Sequence, residues 1–235
     1  MAVLNSATTL DKICNQDAAS QIIIGASLTI GNYLLPRILA NHWRAKGIVL
    51  GEDTPPLQVI IANTTDIAAK VANFEGDIGL IEVPCHRPDL AVTPWLENEL
   101  VLVASPNHAI VKESKGKRIS AACLERTNWL LREPGSGTRE VLEQALLPHL
   151  SQLKSSLGFN DHEVIKQSAA EGLGIACLSS LVAADMLTSG KLVLLNTEFT
   201  NLKCRFSLLI HHQKQITPGM RQIIDDMTHA NIAIS

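Results

Sequence analysis

The chain has 235 residues, is 46% hydrophobic and 18% charged, and carries a net charge of −3 with only 3% aromatics. That length allows one large domain or two small lobes, and the aliphatic composition is that of a soluble, globular protein, not a disordered one. A slightly acidic chain with no basic stripe is not a nucleic-acid module as it stands; the densest basic run, KESKGKR at 112–118, is short and broken by glycine, and reads as a solvated loop.

In chain order, residues 1–20 are polar and weakly patterned, like a tail or linker. QIIIGAS then reads as a buried strand ended by Gly25. LTIGNYLLPRILANHWRAK follows with apolar residues at helical spacing (Leu34, Leu35, Ile38, Leu39, Trp43) and Pro36 at an early turn or a kink. GEDTPP is a turn, LQVIIANTT an alternating strand, DIAAKVANFEG a short helix closed by Gly76, DIGLIEV a strand and PCHRPDL a loop. ELVLVAS is a strand, SAACLERTN a short helix, WLLRE a strand, and TREVLEQALLPHL a helix with an apolar face of Leu142, Ala145, Leu146 and Leu150. HEVIKQS reads as a weak strand, GIACLS as a buried strand, SLVAADMLTSG as a helix stopped by Gly190, KLVLLNT and CRFSLLIHH as strands, and PGMRQIIDDMTHANI as an amphipathic helix with Pro218 near its start.

This alternation demands an α/β fold with a largely parallel sheet and helices on its faces. The strand-like runs are numerous for one sheet, so two smaller lobes fit at least as well. Cys14, Cys85, Cys123, Cys177 and Cys204 are scattered, with no C-x-x-C and no zinc spacing, and read as reduced, mostly buried thiols. No metal and no cofactor are expected. There is no basic n-region before an apolar core, and no apolar run of membrane-spanning length.

Two polar turns join a strand to a helix: GASLTIGN at 25–32 and REPGSGTRE at 132–140. In open α/β sheets ligands bind beyond the carboxyl ends of strands, where helix N-termini offer unpaired N–H groups and partial positive charge. Serine and threonine hydroxyls add neutral donors, and glycine admits close backbone approach. The alternative is plain: such residues ordinarily cap helices, each worth about 1 kcal/mol. Enzyme signatures are missing. There is no G-x-x-x-x-G-K-[ST] and no G-x-S-x-G, EGLGIA at 171–176 lacks the third glycine of a dinucleotide fingerprint, and HH at 211–212 needs no role.

Five blocks, IIIGASLTIGNYLLPRIL, ANFEGDIGLIEVPC, PWLENELVLVASPNHAI, WLLREPGSGTREVLEQAL and AAEGLGIACLS, stand in order with consistent spacing between residues 20 and 230. Together they resemble the effector-binding domain of LysR-type transcriptional regulators, most of all the branch that includes sulfite-responsive and carbon-fixation regulators. The resemblance implies a two-lobed type II periplasmic-binding-protein-like fold with two crossover strands. Lobe I would comprise 21–100 and 206–235, lobe II 101–205, and residues 1–20 a remnant of the linker. It places Ser27 and Thr29 at the start of the first-lobe helix, Asn63 and Thr64 at the end of the second strand, and Ser136, Gly137 and Thr138 at the start of the second-lobe helix, all lining the cleft. Glu82, Cys85, Glu171 and Gly172 would be rim positions.

The family's helix-turn-helix domain is not in this sequence, so the chain is expected to be part of a longer protein that meets DNA only through that other domain. What the resemblance implies is a cytoplasmic, non-enzymatic sensor of a small anion (an oxyanion or small organic acid), paired as a homodimer through effector domains and as a homotetramer at full length. A transporter's solute-binding protein, which shares the fold, is the alternative.

Overall fold

The computed structural model describes residues 21–47, 56–83, 85–149, 153–199 and 202–229; the segment read as linker, and Cys14, lie outside them. The first strand, β1 (Ile22–Ser27), is the apolar run expected to be buried, and the chain turns helical at Leu28, directly after it. A π-helical turn, Ile30–Leu34, leads without a break into α1 (Leu35–Ala45), with Pro36 directly after the turn, where the widened register accommodates its missing N–H. Next come β2 (Leu57–Ala62), α2 (Thr64–Ala72) and β3 (Ile78–Ile81). β4 (Leu90–Ala104) is 15 residues long, reaching well before the expected ELVLVAS.

The second half continues with α3 (Ala109–Ser114), α4 (Ala121–Arg126), β5 (Trp129–Arg132), α5 (Gly137–Leu146) and β6 (Ser155–Phe159). α6 (His162–Ala170), β7 (Ile175–Ser179), α7 (Ser180–Thr188), β8 (Val193–Leu194), β9 (Leu202–His211) and α8 (Pro218–His229) complete it.

Several expectations change. HEVIKQS is not a strand but most of α6: the Asp161 carboxylate caps it by accepting the Glu163 N–H at 2.6 Å, and Ile165 and Ala169, four apart, form its buried stripe. KLVLLNT contributes only the two-residue β8, and the first half of KESKGKR is the end of α3, which stops at Lys115 in the left-handed region (φ 47°). Asn63 and Thr64 do not end β2. Asn63 is the N-cap of α2, and Thr64 its first residue.

Among the described residues nine strands form one sheet in the order β2-β1-β3-β9-β4-β7-β5-β6, with β8 on β4. Pairing is parallel within β2-β1-β3 and within β7-β5-β6, and antiparallel wherever β4 or β9 takes part. The sheet is therefore mixed, not largely parallel. The long β4 and β9 run from one half of the molecule to the other, with a register break in β4 between Pro94 and Glu97. This is the two-lobed architecture joined by two crossover strands.

The core follows the same division. One large apolar cluster covers a single face of the sheet through both halves, from Ile24 and Leu34 to Trp129 and Leu146. On the other face the clusters are separate, one around Ile67 and Val71, the other around Ile165 and Val182. α8 returns to the first half, where Met220, Ile223 and Met227 join the cluster of Ile22 and Leu35, and Asp226 pairs with His42 of α1. Cys177 and Cys204 are buried, Cys85 is half-buried and Cys123 is exposed, so the expected burial of the thiols holds for two of the four described.

Candidate functional site

Strand register fixes which turns can meet. Ser27 pairs with Ala62 of β2, and Ala26 with Leu80 of β3, so the turns after β1, β2 and β3 leave the same sheet edge. In the second half β5, β6 and β7 are parallel, and the turns after β5 and β6 also share one edge. These two edges face each other. The Thr65 N–H and Oγ1 donate to the Gly135 carbonyl at 3.2 and 3.4 Å, and the Thr138 hydroxyl donates to Glu82 Oε2 at 2.8 Å. The Tyr33 hydroxyl donates to Glu163 Oε2 at 3.2 Å, and its ring lies 5.5 Å from that of His162.

Within this cleft the helix-cap reading can be examined residue by residue. Asn63 is a cap, its Oδ1 accepting the Asp66 N–H at 2.9 Å. Ser136 holds the N-cap position of α5, but its side chain makes no capping bond, and it is 3% exposed. Among the described residues, Ser27 Oγ and Thr64 Oγ1 are buried without a hydrogen-bond partner. An unsatisfied buried hydroxyl costs about 1–3 kcal/mol, so these two are held at a cost that capping does not explain. Thr29 is buried, and its N–H points to Glu82 Oε1 at 3.4 Å. Gly135, at φ 88°, turns the chain into α5, a conformation open mainly to glycine. Gly137 follows with no room for a side chain: a Cβ there would stand 2.7 Å from Glu82 Cβ and 3.0 Å from Thr64 Oγ1.

Glu82 is not at the rim. It is 2% exposed and sits between the Thr29 N–H and the Thr138 hydroxyl, bridging the two halves. Val83 is buried beside it, Pro84 is outside the described residues, and Cys85 is half-buried against the Ile67–Leu209 cluster under α2. Glu171 and Gly172 stand apart from the others. They precede β7, whose Ile175 pairs with Trp129 at the start of β5, whereas Ser136 follows the end of β5; the two groups lie at opposite sheet edges. Gly172, at φ 81°, ends α6 in a Schellman turn, with Leu173 N–H on the Ser168 carbonyl and Gly172 N–H on that of Ala169. A Cβ on Gly174 would meet the Asn128 carbonyl at 2.7 Å. EGLGIA is thus a helix stop and a strand packing point.

Sequence reasoning missed His162 and Tyr33. His162, at the N-terminus of α6, is 3% exposed, its Nδ1 has no partner among the described residues, and burial first, then the Arg132 guanidinium, hold its pKa below the ordinary value. The carboxylates of Asp161, Glu82 and Glu163 pull the other way and are outweighed. No spacing rule links a histidine at 162 to a serine at 27; only the sheet order does. Arg132 and Arg139, which flank the second turn, are both committed: Arg132 grips Glu133 through Nε and Nη2 at 2.8 and 2.9 Å, and Arg139 reaches Glu143 and the Arg132 carbonyl. The cleft's remaining donors are neutral hydroxyls, an imidazole and the N-termini of the helices.

Comparison with known proteins agrees with this architecture. The model of the LysR substrate binding domain family matches residues 15–231. The HTH-type transcriptional regulator YeiE of Escherichia coli K12 is 33% identical over 99% of this chain and 75% of its own length. The HTH-type transcriptional regulator CysL of Bacillus subtilis is 31% identical over 90% of this chain and 67% of its own. Among solved structures, the CcmR regulatory domain of Synechocystis PCC6803 in complex with 2-PG superposes with a TM-score of 0.77 at 24% identity, covering 91% of this chain and 98% of that one. Among the described residues no helix is long and apolar enough to cross a membrane. With a family model matched from residue 15 to residue 231, and a regulator one-third identical along nearly the whole chain, the protein belongs to the LysR substrate-binding domain family, the effector-sensing part of LysR-type transcriptional regulators.

Proposed function

We propose that the cleft between the two halves binds a compact anion carrying its own hydroxyl, such as hydrogen sulfite or a short hydroxy acid, and that binding holds the halves together. The observation that carries this reading is the pair of buried, unpartnered hydroxyls, Ser27 Oγ and Thr64 Oγ1, on one side of a cleft whose other side presents Ser136, Gly137 and Thr138 at a helix N-terminus. Neutral donors around an anion cost less than a buried ion pair, because no second charge has to be desolvated. Glu82 then sets selectivity. A buried carboxylate repels a fully ionised oxyanion but accepts a hydrogen bond from a hydroxyl, so a ligand that brings one has the advantage. Asn63 supports the site as a helix cap, and Glu171, Gly172 and Cys85 have no part in it.

The domain division follows from the same reading: residues 21–100 with 206–235 form lobe I, 101–205 form lobe II, and β4 and β9 act as the hinge. The domain makes and breaks no covalent bond. It acts in the cytoplasm, pairs as a homodimer within a full-length homotetramer, and reaches DNA through a separate helix-turn-helix domain. Edge strands support the pairing: β2 exposes Val59 and Ile61, and β6, at the far end of the sheet, exposes Leu157. The family match and the HTH-type regulators among its relatives favour this reading over a transporter's solute-binding protein.

A thermal-shift panel of sulfite, sulfate, phosphate and glycolate tests the ligand reading, since a ligand at 100 times its Kd stabilises the native state by about 2.7 kcal/mol. The expected result is a shift with a hydroxyl-bearing anion that Ser136→Ala or Ser27→Ala removes. A shift that survives both substitutions, or none with any of the four, overturns it.

A further inference from the structure

Beside the cleft a cavity of about 380 Å³ is lined by the turn after β3, by α5 and by the two crossover strands. Glu82 and Val83 come from the turn after β3, Val141 and Gln144 from α5, and Glu97, Lys203, Cys204 and Arg205 from the two crossover strands. Gly137, Val141 and Gln144, spaced four and three apart, share one stripe of α5. That helix therefore shows its first residue to the cleft and its next turns to this cavity.

The charges are laid out in order. At the exposed mouth Lys203 and Arg205 reach Glu97 at 3.5 and 3.3 Å, an ion pair set in solvent that an incoming anion can replace at little cost. Val83, Val141 and Cys204 give the cavity an apolar wall, and Gln144 is held on Glu140 at 3.1 Å. Exposed cations beside an apolar wall suit one carboxylate on an uncharged tail.

We infer that this cavity is a second ligand site, for a small aliphatic monocarboxylate, whose occupancy changes how the two halves close on the effector. The coupling rests on the effector reading above; the binding itself does not.

The test is an NMR titration of the isotope-labelled full chain with sodium pentanoate. The expected result is a saturable shift of the Val83 and Val141 methyls and the Gln144 side-chain amide, weakened at least fivefold by Arg205→Gln and at least tenfold by Val141→Phe, which fills the cavity. If Val141→Phe does not fold, Arg205→Gln decides alone. Shifts confined to Ser27 and Ser136, no saturable shift, or full affinity in Arg205→Gln overturns the site. With pentanoate saturating, sulfite affinity is expected to change at least threefold, and an unchanged value overturns the coupling. Failure of sulfite to bind at all removes the effector reading while leaving the pentanoate shifts to stand or fall by themselves.

Discussion

A methyl group added at Gly137 acts as a wedge between the two halves. The residue opens α5 outside the left-handed region, so alanine meets no backbone strain there, and by propensity it favours the helix over glycine. The obstacle is across the cleft: the new Cβ would stand 2.7 Å from Glu82 Cβ, closer than real Cβ atoms come, and tightly against Thr64 Oγ1 at 3.0 Å and Val83 Cγ1 at 3.3 Å. Overpacking of this kind costs about 1–3 kcal/mol. Because the contact exists only when the halves touch, the cost falls on the closed state, and at about 1.4 kcal/mol per factor of ten Gly137→Ala should weaken anion binding by roughly 5- to 150-fold. Calorimetric titration of sulfite into wild type and variant measures this, with the melting temperature of the ligand-free proteins as control. The expected result is a large loss of affinity with a small change in melting. Equal sulfite affinity in the two proteins refutes the reasoning, for it would mean that the halves do not press together at Gly137 when ligand is bound.

Glu82→Gln keeps the shape and an acceptor for the Thr138 hydroxyl but removes the charge, so the preference for sulfite over sulfate, measured as a ratio of dissociation constants, should narrow at least tenfold; an unchanged ratio contradicts the selectivity assigned to the carboxylate. Burial and the neighbouring Arg132 depress the His162 pKa in the folded state, and burial does the same for His108. The unfolded chain therefore takes up these protons first, so stability is full above pH 6.5, the ordinary value, and falls below it, by at most about 1.4 kcal/mol per pH unit for His162 and by less for the more exposed, solvent-screened His108. Urea midpoints between pH 7 and 5.5 should drop on acidification, and drop less in His162→Asn; a flat or rising midpoint in wild type is the contrary result.

Much of this was legible in the sequence, for physical reasons that can be named. IIIGAS, DIGLIEV and GIACLS are continuous apolar runs because strands covered on both faces by helices have no solvent side, and each is a strand at the sheet's interior. The turns at 25–32 and 132–140 stood out because a strand handing over to a helix leaves donors to satisfy. The resemblance to a family supplied the two-lobed division that periodicity left open. Other features had no local signal. HEVIKQS carries two adjacent β-branched residues, Val164 and Ile165, and only Asp161 as its cap marks it as helix. Residues 155–159 are short and weakly apolar, and their pairing with β5 makes them a strand. Glu82 follows a strand as any surface acid might, and its place at the centre comes from the approach of α5 across the cleft. Tyr33 and His162, 129 positions apart in the chain, meet only through the tertiary fold.

The most direct measurement sets the ligand-binding hydroxyls against the helix cap. Sulfite is titrated calorimetrically into wild type, Ser27→Ala, Thr64→Ala and Asn63→Ala, with the unfolding free energy of each measured in parallel. The Ser27 and Thr64 hydroxyls have no partner among the described residues, so their loss should leave stability unchanged or raised while sulfite affinity falls at least tenfold. Asn63 caps α2, so its loss should cost about 1 kcal/mol of stability and leave sulfite affinity within threefold of wild type. Full sulfite affinity in both hydroxyl variants would contradict the account and leave the cleft turns as structure alone.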